Sequence, residues 1–132
     1  MTPLSFKQIT ARLHTIKFPE IDVVIGIGSG GVPAATMLAY HLKSELFVMT
    51  LNYRDEQNNP RYEEPKVLEK ANWNLAGQRI LLVDDVSVSG KTMNAALKQL
   101  KGLNVQTCAM KGKADFVLFP EIKDCVKWPW KP

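Results

Sequence analysis

Apolar positions along this chain follow two spacings. Phe6, Ile9, Leu13 and Ile16 recur every three or four residues, the interval of one helix face, and Ser5 stands where a hydroxyl can cap the first turn. Elsewhere the apolar residues come in short runs: Val23 to Ile27, Leu46 to Leu51, Ile80 to Val83, Val105 to Met110 and Phe116 to Phe119. Runs of this length predict strands buried on both faces, as in a parallel sheet. Pro33 opens a second helix reaching about Leu42, since proline is tolerated in a first turn. A third helix runs from Thr92 to about Lys101. Strand alternating with helix predicts an α/β fold: a Rossmann-like open parallel sheet of about five strands, flanked by helices and joined by right-handed crossovers. No internal repeat is present.

One segment breaks the rhythm. Residues 53–74 are polar, carry Pro60 and Pro65, and include Arg54, Asp55, Glu56, Arg61, Glu63, Glu64, Lys66 and Lys70. A connection this long in a compact domain is usually functional or disordered. A solvated β-ribbon is the alternative. At the other end, residues 120–132 close on WPWKP, where Trp128 and Trp130 either stack on a planar ligand or cover the core or a dimer contact.

Composition narrows the field. The chain has 132 residues, 45% hydrophobic and 23% charged, which suits a single domain with its own core, residues 1–132. A net charge of +4 suits an anionic small molecule. Without an arginine-rich run, a nucleic-acid partner is not expected. Cys108 and Cys125 lack metal-ligand spacing. Cys108 reads as a core strand residue, and His14 and His41 as helix residues. No stretch reaches the roughly 18 apolar residues of a membrane span, and the first residues lack a signal-peptide hydrophobic region. A cytoplasmic protein with no membrane partner is the expectation.

The candidate chemistry lies in RILLVDDVSVSGKT, residues 79–92. A buried strand ends there in two acids, Asp84 and Asp85. In open α/β sheets ligands bind beyond the carboxyl ends of strands. The small residues after the acids let backbone wrap an anion, and the following helix points its free N–H groups at it. A phosphate suits the loop; a polyol, or a metal beside it, suits the acids. A ligand-free strand, turn and capped helix would leave two adjacent like charges unexplained. SGKT also looks like the tail of a P-loop, but that pattern needs a glycine at the position of Asp85. Gly26, Gly28 and Gly31 satisfy G-x-G-x-x-G, yet the acid expected at the end of the next strand is missing, since Asn52 and Tyr53 stand there.

Four hydrophobics, two acids, then small residues and threonine: this pattern resembles the phosphoribosyl diphosphate (PRPP) signature of type I phosphoribosyltransferases, in their purine, hypoxanthine-xanthine-like branch. The resemblance implies that fold, with a flexible hood loop over residues 53–74 and a small C-terminal hood on the base side. It implies that Asp84 and Asp85 hold the ribose hydroxyls, act in catalysis and carry Mg²⁺ through water. Ser87, Val88, Ser89, Gly90, Lys91 and Thr92 would bind the 5′-phosphate. Gly28, Ser29, Gly30 and Gly31 would cradle the pyrophosphate, with a cis peptide at Gly28–Ser29. Ser29 stands where many purine-type relatives carry lysine or arginine. Arg54, Arg61 and Lys66 are candidate pyrophosphate contacts from a loop expected to be poorly ordered without ligand.

On the base side the resemblance implies Lys111 as donor to a purine 6-oxygen and Trp128 as the stacking ring, the usual aromatic position falling near Cys125 or Val126. The implied reaction converts a nucleobase, a 6-oxopurine, and PRPP into a nucleoside monophosphate and pyrophosphate, in a homodimer by family analogy. Val88 stands where these enzymes place a proton-handling aspartate. The alternative is therefore a PRPP-binding regulator of the same fold that transfers no base.

Overall fold

The computed structural model describes residues 1–52, 66–67 and 73–131. Its elements in chain order are β1 (Thr2–Pro3), α1 (Phe6–Thr15), β2 (Val23–Gly28), α2 (Val32–Leu42), β3 (Glu45–Asn52), β4 (Lys66–Val67), β5 (Arg79–Ser87), α3 (Lys91–Gln99), β6 (Asn104–Gly112), β7 (Phe116–Val117) and β8 (Val126–Lys127). The main sheet has the order β4-β3-β2-β5-β6-β7, with β4 antiparallel and the other five strands parallel. A parallel five-stranded sheet flanked by helices is the architecture the apolar runs predicted.

The strands are buried on both faces because their side chains alternate between two apolar layers. Val24, Leu81, Val83, Cys108 and Met110 pack under α1 and α2, against Ile9, Leu13, Ala34, Ala35 and Leu38. Val23, Ile25, Ile27, Ile80 and Leu82 face the other way, onto Met93 and Ala96 of α3. Helix α1 starts at a capping box: Ser5 Oγ accepts from the Gln8 N–H while the Gln8 side chain accepts from the Ser5 N–H. Cys108 is fully buried, and burial pushes its thiol up to about 12. His14 and His41 lie in α1 and α2, their rings edge to face at 4.8 Å.

Three elements differ from the sequence expectation. Strand β5 runs on to Ser87 because β6 keeps pairing with it, Val86 with Lys111 and Ser87 with Gly112. The two acids therefore lie within the strand rather than after it. The last strand is only Phe116–Val117. Part of the segment 53–74 returns to the sheet as an antiparallel strand, pairing Leu51 with Val67 and Asn52 with Lys66. The rest of that segment up to residue 72 lies outside the described residues, and with it the expected disorder. A second, two-stranded sheet joins β1 to β8, pairing Thr2 with Val126.

Leu82 is fully buried at the centre of the α3 layer. Leu82→Ala should cost about 3 kcal/mol of unfolding free energy, the usual loss when a cavity replaces a core leucine. Tyr40, 89% exposed, is the control: Tyr40→Ala should shift the urea midpoint only slightly.

Candidate functional site

The strand order sets the place of the site. From β2 the chain moves outward to β3, then crosses back to β5 on the other side of β2. The loops leaving β2 and β5 thus run in opposite directions and leave a crevice between them, the usual ligand position in such sheets. The β2–β5 ladder ends at Gly26 and Val83, so Asp84 and Asp85 follow directly where that pairing stops.

Asp84 is buried, at 7% exposure, and its Oδ1 accepts from the Asp85 N–H at 2.8 Å. Asp85 is partly buried and its Oδ1 accepts from the Val86 N–H at 2.8 Å. Burial, and next the charge of Asp85, hold the Asp84 carboxyl well above the ordinary carboxylate range. Lys131 approaches the pair, with Nζ 3.7 Å from Asp85 Oδ2. Sequence spacing contained no sign of this residue, which lies far along the chain from the acids. Among the described residues no group of three or more His, Cys, Asp or Glu comes together. Two carboxylates are nonetheless the donor set Mg²⁺ takes when substrate phosphates and water complete its shell.

The loop 87–92 links β5 to α3. Ser87 is buried, while Val88 is 69% exposed. Ser89 Oγ accepts from the Lys91 N–H at 3.3 Å, and Gly90 adopts φ 80° ahead of the helix. Around it lies a recess of about 340 Å³ bordered by Ser87, Ser89, Gly90, Asn94 and Lys113. The first turn of a helix has backbone N–H groups without intrahelical partners, which is where anions bind in general.

Across the crevice runs the loop 28–31. Its Gly28–Ser29 peptide bond is cis. A Cβ on Gly31 would meet the Ile27 and Val83 carbonyl oxygens at 2.8 Å, and one on Gly30 would meet Asp85 Oδ2 at 3.1 Å. The glycines therefore allow this loop to lie directly against the acids of β5. No acid stands at the end of β3 to complete a dinucleotide site, since that strand ends at Asn52.

The residues expected on the base side lie at the end of β6 and in the C-terminal segment. Lys111, at the end of β6, donates through Nζ to the Asp124 carbonyl at 2.5 Å. The Asp124 carboxylate in turn accepts from the Thr2 hydroxyl at 2.7 Å. Trp128, expected to offer a stacking face, is 4% exposed, and Trp130 lies parallel to it at 5.2 Å. The Trp128 ring is thus used in packing and does not present a face to a base. Asp115 is structural: its carboxylate accepts from the Thr107 N–H at 2.8 Å and fixes the turn before β7. Arg54 and Arg61 lie outside the described residues, as does the Lys66 side chain.

The chain matches the family described as phosphoribosyl transferase domain over residues 5–115. The transcriptional regulator GfcR 2 of Methanosarcina acetivorans is 31% identical over 87 residues, 66% of this chain and 41% of that protein. Orotate phosphoribosyltransferase of Pyrobaculum aerophilum is 35% identical over 82 residues, 62% of this chain and 38% of that protein. This chain spans about two-fifths of the length of these curated relatives. Among solved structures, a purine phosphoribosyltransferase from Pyrococcus horikoshii superposes with a TM-score of 0.81 at 21% identity, covering 99% of this chain and 94% of the other. A hypothetical protein from Neisseria gonorrhoeae with bound ppGpp gives 0.72 at 26% identity, covering 99% and 90%. With the domain matched over most of its length, the chain belongs to the phosphoribosyl transferase domain family.

Proposed function

We propose that this protein is a phosphoribosyltransferase. It takes PRPP with Mg²⁺ and moves the phosphoribosyl group to a ring nitrogen of a nucleobase, a 6-oxopurine, releasing pyrophosphate. The observation that carries this reading is a convergence: the glycine loop after β2 lies against the acid pair of β5, and the small-residue loop opening α3 follows those acids directly. Asp84 and Asp85 grip the ribose hydroxyls, and their charge stabilises the cationic sugar as the bond to pyrophosphate lengthens. The loop 87–92 holds the 5′-phosphate by backbone N–H groups and hydroxyls, and the loop 28–31 receives the diphosphate. Both ends of the sugar phosphate are then held while the base approaches, so positioning supplies much of the rate. Asp84 and Asp85 are the residues that would hold Mg²⁺, through water. The ion when bound supplies charge neutralisation at the diphosphate.

Lys111 supports the choice of a 6-oxopurine. Its ammonium has three donors, one used on the Asp124 carbonyl, which leaves two for a carbonyl oxygen on the base. A homodimer is proposed by family analogy.

A second reading, a PRPP-binding regulator that transfers nothing, is favoured by one observation. The loop 87–92 carries Val88, 69% exposed, where a proton-handling acid would be needed. The GfcR relatives are named as transcriptional regulators. The solved relative holding ppGpp fits either reading, because that ligand also joins a ribose to diphosphate groups.

Calorimetry with PRPP and Mg²⁺, followed by pyrophosphate release on a panel of bases, separates the two. Binding with turnover on a 6-oxopurine is the expected result; binding without turnover on any base selects the regulator. Asp84→Asn combined with Asp85→Asn should abolish PRPP binding and leave the fold intact by circular dichroism. Retained binding would remove the acids from the site.

The raised Asp84 carboxyl adds a pH signature. In the unfolded chain the same group ionises near about pH 4. Between that value and its raised folded value, the folded protein binds more protons than the unfolded chain. Stability therefore falls as pH rises through that interval. Asp84→Asn, neutral at every pH, should flatten the decline in urea titrations. Loading with PRPP and Mg²⁺ favours the carboxylate, so a proton should leave on binding at neutral pH. Equal binding heats in two buffers of different protonation enthalpy would contradict this.

A further inference from the structure

The diphosphate of the proposed substrate brings several negative charges beside two carboxylates. The loop meant to receive it holds none of its own cations, because position 29 is Ser29. A cation nevertheless stands here, delivered from the other end of the sequence. Lys131 Nζ lies 3.7 Å from Asp85 Oδ2. The same oxygen lies 3.1 Å from where a Cβ on Gly30 would sit. The Asp85 carboxylate is thus close to both the lysine and the glycine loop.

The route of the chain explains how Lys131 is held there. Trp128 is buried in the α1–α2 layer, and Trp130 stacks on it at 5.2 Å with only 3° between the ring planes. The Lys131 N–H donates to the Trp128 carbonyl at 3.2 Å, closing the turn through Pro129. Two rings therefore anchor the backbone. The Lys131 side chain itself is 57% exposed, so its ammonium can swing on a flexible four-carbon stem. Trp128, Trp130 and Lys131 lie beyond residue 115, where the family match ends.

We propose that Lys131 is the diphosphate-binding cation of this site, resting on Asp85 and turning to the diphosphate oxygens when PRPP enters, in place of the charge that Ser29 lacks. This rests on the reading of the crevice as a PRPP site. The competing role is a plain counter-ion to Asp85. Such a counter-ion would oppose every ligand of the acids alike, whereas a diphosphate contact acts only on ligands that carry a diphosphate.

The test uses the full chain with Mg²⁺ and two ligands, PRPP and ribose 5-phosphate, which differ in the diphosphate. Lys131→Met should weaken PRPP about tenfold, the usual worth of one charge-assisted contact. Ribose 5-phosphate affinity should stay unchanged, and Lys131→Arg should recover most of the PRPP affinity. The wild-type advantage for PRPP should shrink as salt is raised, since the lysine is exposed. An unchanged melting temperature for Lys131→Met would show that the tryptophan anchor survives the substitution. PRPP binding that is unchanged in Lys131→Met, or a shift of both ligands by the same factor in either direction, would overturn the proposal while leaving the PRPP site in place. A wild-type protein that binds neither ligand would remove both.

Discussion

Backbone meets backbone at Gly31, and the crevice exists because of that contact. A methyl group at this position would lie 2.8 Å from the Ile27 and Val83 carbonyl oxygens and 3.0 Å from the Asp84 Cα. Any side chain would push the loop 28–31 away from the end of β5. A similar approach occurs on the other flank of β5. Gly112, at φ 106°, brings its Cα so near Ser87 that a Cβ would fall 2.1 Å from the Ser87 carbonyl oxygen, and the Lys113 N–H donates to that oxygen at 2.7 Å. The end of β5 is clasped from both sides. Its acids and the loop after them are held in position before any ligand arrives.

Charge in this molecule divides into matched and strained places. Arg79 binds Asp22 and Glu20, and Arg12 binds Glu121. The arginines hold Asp22 and Glu121 down at about 2. Asp84 goes the other way: burial and a like-charged neighbour raise its carboxyl. A buried acid pushed upward beside a second carboxylate is a common mark of a working site, because a cation or a polyol relieves it. Lys131, 3.7 Å from Asp85 Oδ2, relieves it in part.

Much of this was readable along the chain, for local reasons. Periodicity in the first sixteen residues and Ser5 located α1 and its cap. Uninterrupted apolar runs located the central strands, because only a strand covered on both faces needs them. The acids and small residues after Val83 marked the end of β5 proposed to meet a ligand. Where the reading was short of the structure, distant partners were responsible. Strand β5 extends to Ser87 because β6 continues beside it. Lys66 and Val67 form a strand because Leu51 and Asn52 offer an open edge. Trp128 is a core residue because Trp130 and the α1–α2 layer enclose it.

Residue order along the chain was enough for the class of fold, the family resemblance and the residues proposed to meet sugar and phosphate, since each depends on neighbours a few positions apart. Packing decided the rest: that the loop after β2 touches the end of β5, that Asp84 is buried, and that Lys131 arrives beside Asp85. Those outcomes come from chain segments brought together by packing. Nothing in the spacing of residues along a chain encodes a distance between its two ends.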